Sequence, residues 1–165
     1  MKKILAILLT VAMLLAATAA LAEAPANLVK ASADTTITVG VLMKTMSDAY
    51  SNKLGNAIQD YASANYPNVT LKLLDGEADI AKQISQAEDL IAQQVNVIIL
   101  NPQDADGSAQ VLDLAAEAGI PVVEVNTETT RTDYVSYVGS VDSQAGEMMG
   151  NFVMEQLNNE VAYPE

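Results

Sequence analysis

Two short segments of this chain combine residue types that can hold a polyhydroxylated ligand. The first is Lys44–Tyr50 (KTMSDAY), a polar turn between an apolar run and a helical pattern. Asp48 can accept hydrogen bonds from hydroxyl donors, and Tyr50 can offer a flat face to the C–H patch of a sugar-like ring. Ser47 or Asp48 can equally serve as the cap of the following helix, where a carboxylate meets the positive dipole end. Tyr50 also fits a buried stripe with Leu54. The second segment is Asn126-Thr127, directly after the run Val122–Val125. Asn126 carries both a donor and an acceptor and can bond two adjacent hydroxyls, with Thr127 a weaker neighbour; a turn role is the alternative. Asn101, beside Pro102, reads as a turn organiser. Glu124 interrupts an apolar strand, and either faces a ligand at the strand end or pairs with a cation.

The elements that must position these residues alternate regularly. Ile37–Met43 (ITVGVLM) reads as a strand, followed by a helix with Tyr50, Leu54, Ile58, Tyr61 and Ala62 on one face, ending before Pro67. Val69–Leu74 is a second strand, closed by the Asp75-Gly76 turn, and Ile80, Ile84, Ala87 and Ile91 stripe a second helix that Gln94 ends. Val97–Leu100 is a third strand, broken at Asn101-Pro102. Asp104 or Asp106 can cap a third helix with Val111, Leu114, Ala115 and Ala118 inside, and Gly119 suits its C′ position. Val122–Val125 is a fourth strand, Thr127–Asp133 a polar loop and Tyr134–Val138 a fifth strand. Ala145, Met148, Met149, Phe152 and Val153 stripe a last helix, and the methionines at 43, 46, 148 and 149 read as core filling. Strands this apolar belong inside a parallel sheet covered on both faces. The pattern predicts a doubly wound, mainly parallel α/β sheet, whose ligands bind beyond the carboxyl ends of the strands.

Composition narrows the classes. The 165 residues include no cysteine and no histidine, which excludes disulfides, the usual zinc sites and histidine-based triads. Phosphate-binding glycine signatures are missing, and the first strand–helix turn has no glycine. Lys2-Lys3, the apolar run Ile4–Leu15 and Ala20-Leu21-Ala22 have the order of an export signal cleaved after residue 22. An uncleaved anchor is the competing reading. The chain carries 8 basic and 21 acidic residues, for a net charge of −13, and loss of Lys2 and Lys3 deepens it. Such a surface repels nucleic acid and anionic lipid and suits a neutral or cationic ligand.

Four stretches in order carry a resemblance to a known family: ITVGVLMKTMSDAYSNKLGNAIQDYA, DLIAQQVNVIILNPQD, EAGIPVVEVNTE and YVGSVDSQAGEMMGNFV. From about Ile37 to Leu157 the chain resembles the type I periplasmic sugar-binding proteins of ABC transporters, most of all their galactose/glucose-binding group. The resemblance implies two similar α/β lobes that close over one sugar. It puts Asp48 and Tyr50 in the places of a hydroxyl-bonding aspartate and a stacking aromatic, and Asn126 in that of a hydroxyl-bonding asparagine. Thr127 stands where that group commonly has a lysine, a departure that bears on galactose specificity.

On this basis residues 1–22 are expected to be a signal peptide, 23–36 a flexible leader, 37–133 an N-terminal lobe, and 134–165 the crossing into an incomplete second lobe. The expected activity is non-enzymatic binding of a galactose/glucose-like or related monosaccharide, with no metal or cofactor. An ABC permease and a chemoreceptor are the implied partners. The protein is expected to be an exported, periplasmic monomer, not a lipoprotein. A sugar-independent interaction lobe, or a fragment without function, is the alternative.

Overall fold

A computed structural model describes residues 35–158. The expected signal peptide and most of the leader lie outside the described residues. Nine elements follow in order: β1 (Ile37–Met43), α1 (Ala49–Asn65), β2 (Val69–Asp75), α2 (Ile80–Ala92), β3 (Val97–Leu100), α3 (Ala109–Glu117), β4 (Val122–Val125), β5 (Ser136–Val138) and α4 (Asp142–Asn158). The strands form one sheet in the order β2-β1-β3-β4-β5, and all four pairings are parallel. This is the expected α/β architecture. Order reverses between β1 and β3, so the crevice typical of such sheets opens at the carboxyl ends of these central strands.

Alternation along the strands sorts side chains onto two faces. Leu42, Ile98, Leu100 and Val122 pack with Ala87 and Leu90 of α2 and with Val111, Leu112 and Ala115 of α3. On the opposite face Val39, Val41 and Met43 are buried beside Met46, Leu54 and Ile58. Gly40 permits close approach of α2, since a Cβ there would run into the Leu90 side chain. Gly119, at φ 69°, terminates α3 in the left-handed conformation expected of a C′ glycine.

Several local expectations are corrected. Tyr50 and Tyr61 do not face the core: they are 60% and 63% exposed. The inward face of α1 is instead Ser51, Leu54, Gly55 and Ile58, because the helix sits close over Met46, whose sulfur would lie 2.9 Å from a Cβ on Gly55. Small residues therefore face in and the tyrosines face out. The N-cap of α3 is Ser108, not Asp104 or Asp106, and Asp104 accepts from the Gly107 N–H (2.6 Å) in the turn before it. The Ser108 hydroxyl does not cap, being turned inward to Gln83. Ala118 is exposed while Leu112 is buried. β5 begins at Ser136 rather than Tyr134, whose ring packs against the core and whose hydroxyl bonds Glu128. Met43 is buried as expected, but Met148 and Met149 are 73% and 65% exposed, so they fill no core among the described residues.

Candidate functional site

The carboxyl edge of the sheet is built from the connections that follow its five parallel strands. Asp48 is the N-cap of α1, its carboxylate accepting the Ser51 N–H at 2.8 Å. That bond holds the Asp48 carboxyl below its usual range, with Lys44 adding a smaller effect in the same direction. The capping reading thus holds for Asp48. The turn before it is held from outside: Asp75, at the end of β2, accepts from the backbone N–H groups of Met46 (2.9 Å) and Glu77 (2.8 Å). Tyr50, one residue into α1, stands largely in solvent and is available to a partner.

Below this edge lies a buried polar network that sequence reasoning missed. Gln83 of α2 is fully buried; its amide donates to the Asn101 carbonyl (3.0 Å), and its oxygen accepts from the Ser108 hydroxyl (2.8 Å). Asn101 is also fully buried and donates from Nδ2 to the Val125 carbonyl at 3.0 Å. Asn101 therefore ties the end of β3 to the end of β4 rather than organising its own turn alone. Buried amides are costly when left unbonded; Gln83 is bonded through both its nitrogen and its oxygen, whereas Asn101 is bonded through Nδ2 and its Oδ1 has no partner.

Asn126 follows at once. Its backbone is left-handed, φ 68°, a conformation asparagine tolerates better than other non-glycine residues. Its N–H donates to the Val138 carbonyl (2.9 Å) and its carbonyl accepts the Tyr137 hydroxyl (3.0 Å). Its side-chain amide lies 3.4 Å from the Thr127 hydroxyl, a weak contact that leaves the amide able to bond elsewhere. A cavity of about 360 Å³ opens here, lined by Asn126, Thr127, Glu128, Tyr137 and the segment Ser140–Asp142. That volume falls within the range of small-molecule sites.

Glu124 takes neither of the two expected roles. It is fully buried, and its carboxylate accepts the Thr129 N–H at 3.1 and 3.3 Å. Burial pushes its carboxyl above the usual range, opposed by the Thr129 bonds, with Glu128 and Asp133 adding to the rise. The one arginine of the 127–133 loop is engaged by Asp113 and Asp133. Glu124 thereby shapes the loop after Asn126 from inside.

The structure therefore brings Asn126 and Thr127 together at one cavity, and places Asp48 and Tyr50 on the same sheet edge but outside the cavity lining. Tyr50 is close enough to Tyr137 to influence its phenol, which is raised first by partial burial and then by Glu128, Asp142 and Tyr50. Tyr137, Glu128 and Asp142 were not singled out from the sequence. Their place follows from the strand register, in which Tyr137 pairs with Glu124 on the neighbouring strand, and no local sequence signal marks it.

Comparison with known proteins identifies the family to which this fold belongs. The putative rhizopine-binding protein of Rhizobium meliloti is 34% identical over 125 residues, covering 73% of this chain and 40% of that protein. The ribose import binding protein of Salmonella typhimurium is 25% identical over 128 residues, covering 78% and 43%. An ABC transporter solute binding protein from Bacillus halodurans, solved with bound myo-inositol, superposes with a TM-score of 0.69 at 28% identity, covering 76% and 44%. The chain thus spans less than half the length of these relatives. Residues 39–163 match the periplasmic binding protein domain, and the chain belongs to that family.

Proposed function

We propose that this chain is the ligand-contacting N-terminal part of a sugar-binding protein serving an ABC importer in the periplasm. The observation that carries the reading is the cavity at the carboxyl edge of β4, with Asn126 at its wall and Tyr50 nearby, in a fold whose relatives are binding proteins for rhizopine and ribose. Asn126 and Thr127 would bond ring hydroxyls, Tyr50 would cover an apolar ring face, and Asp48 would accept from hydroxyl donors with the lone pairs that Ser51 does not use. The ligand is a galactose- or glucose-like monosaccharide or a related polyol, held in the whole protein between this lobe and a second one. A permease is the partner on the same reading, and a chemoreceptor a further one. Export follows from the basic and apolar start of the sequence. Binding, not catalysis, is the activity.

Each hydrogen bond to a charged group that the second lobe would supply is worth roughly 1.5–3 kcal/mol, about ten- to a hundredfold in affinity. Sugar binding by the 165-residue chain is accordingly expected to be weak. Titration of glucose, galactose, ribose and myo-inositol, followed by amide chemical shifts, should show millimolar affinity with changes at 48–50 and 126–128. Asp48→Ala and Asn126→Ala should each weaken it further. Micromolar binding would show that the chain carries a complete site, and the absence of shifts with every sugar would remove the reading.

A further inference from the structure

Asn126 stands in an unusual turn, and the bonds around it show what keeps it there. The Val125 carbonyl accepts the Thr127 N–H at 2.8 Å, which closes a three-residue turn with Asn126, at φ 68°, in the middle. This is the positive-φ form of the γ-turn, rare and strained for a residue that carries a Cβ. Strain of this kind persists where the surroundings over-determine it.

Here they do so one peptide unit at a time. A peptide unit is planar and turns as one body, so the two units flanking the Asn126 Cα together set its conformation. In the unit before it, the Val125 carbonyl also accepts Asn101 Nδ2 (3.0 Å), and the Asn126 N–H donates to the Val138 carbonyl (2.9 Å). In the unit after it, the Asn126 carbonyl accepts the Tyr137 hydroxyl (3.0 Å), and the Thr127 N–H is the donor that closes the turn. All four polar groups are bonded. Each unit is gripped by one side chain from a strand beside β4: Asn101 just past β3 on one side, Tyr137 of β5 on the other. Both grips are themselves anchored. Asn101 is fully buried, its N–H donating to the Leu42 carbonyl (2.8 Å) and its carbonyl accepting from Gln83 (3.0 Å). Partial burial, followed by Glu128 and Asp142, raises the Tyr137 phenol, so its hydroxyl stays a donor. What the turn leaves uncommitted is the Asn126 amide, which lines the cavity and makes a weak 3.4 Å contact with the Thr127 hydroxyl.

On the reading that this cavity takes a sugar, we propose that Asn101 and Tyr137 are positioning residues for its binding, which hold Asn126 in the γ-turn from the two flanking strands and so fix its amide at the cavity before a ligand arrives. An amide fixed in advance loses less freedom on binding than one the ligand must order. Asn101 lies outside the cavity lining and reaches a ligand through the turn alone, so it gives the cleaner test. Glucose, galactose, ribose and myo-inositol are titrated into the full 165-residue chain, read by amide chemical shifts, and the one bound most tightly is carried through the variants. Asn101→Ala should weaken it roughly three- to tenfold, and should speed amide exchange at Thr127 more than in α2. Asn126→Gly deletes the amide while keeping a residue at ease with positive φ. In that background the same Asn101→Ala should change affinity by less than about twofold, because the group it positions is gone. Tyr137→Phe should likewise speed exchange at Thr127 and lose its effect on affinity in the Asn126→Gly background, and it decides the matter should Asn101→Ala fail to fold. Equal losses of affinity with and without the Asn126 amide would overturn the inference and leave sugar binding intact, as would Thr127 exchange that neither variant changes. A parent chain that responds to none of the four ligands would overturn both this inference and the sugar-binding reading.

Discussion

Helices α2 and α4 carry the same kind of apolar stripe and differ in what covers it. On α2, Ala87 and Leu90 are buried against the sheet and α3, with Ile84 and Ile91 packed around them. On α4, Met148, Met149, Phe152 and Val153 recur at the same helical spacing, yet each is more than half exposed. A 3.6-residue period states only that one side of a helix prefers to leave water. Whether it does so depends on a partner surface, and α2 has one because the crossover from β2 to β3 lays it across the sheet. Among the described residues α4 lies beyond the last strand and meets no such surface. The matched region makes up less than half the length of each of these relatives.

The largest expected effect breaks the comparison at its buried end. Leu90→Ala should cost about 2–5 kcal/mol in urea unfolding, because it empties a fully enclosed site facing Gly40. A loss below 1 kcal/mol would mean that α2 is held less tightly than its burial implies. Next is the junction between the two regions, where the Tyr137 hydroxyl bonds the Asn126 carbonyl and, more weakly, that of Ser140. Tyr137→Phe should cost roughly 0.5–1.5 kcal/mol and speed amide exchange at Asn126 and in α4, while leaving exchange in α2 unchanged. Gly139 belongs to the same device, since a Cβ there would collide with the Tyr137 hydroxyl.

Glu124 gives a prediction in pH. Its folded-state carboxyl is raised, so its contribution to stability is fully present below the ordinary carboxylate range and is lost as pH rises through the folded value. Glu124→Gln does not titrate and keeps an acceptor for the Thr129 N–H. Its Tm should therefore exceed that of the parent by a few degrees at pH 7, with the gap closing toward pH 4. A gap that is constant from pH 4 to pH 7 would show that the buried charge costs nothing. Asp133 runs the other way: lowered by its bond to Arg131, it contributes stability that disappears as pH falls through its folded value. The smallest effect closes the comparison. Phe152→Ala should change the stability of this chain by less than about 0.5 kcal/mol, as surface substitutions do. A cost near that of Leu90→Ala would show that the α4 stripe is covered in solution.

Much of the framework was legible because its determinants are local. Apolar β-branched runs ending at Asn101 and Asn126, the Asp75-Gly76 turn and Gly119 each act within a few residues of themselves, and the strands and helices stand near their expected places. Asn126 was singled out as a candidate for the same reason, as a polar residue at a strand end. What escaped depends on distant neighbours. Tyr50 fits an inward stripe until Gly55 brings α1 down onto Met46 and turns the stripe by one residue. Gln83 looks like a solvent-facing helix residue, and only the apposition of α2 with Asn101 and Ser108 gives it buried partners. Glu124 could be assigned no role without knowing that Thr129 folds back over it.

The sequence by itself determined an acidic chain without cysteine or histidine, a β/α alternation committed to a parallel sheet, and a family resemblance that made Asp48, Tyr50, Asn126 and Thr127 the candidate ligand residues. Side-chain period, turn chemistry and composition are properties of neighbouring residues, and they need no fold to be read. Only the tertiary structure decided that Asn126 and Thr127 share a cavity with Tyr137, Glu128 and Asp142, because parallel pairing of β4 with β5 sets those segments side by side. It likewise decided that one amphipathic helix is core and another is surface. Burial is a relation between surfaces, and no single segment contains both of them.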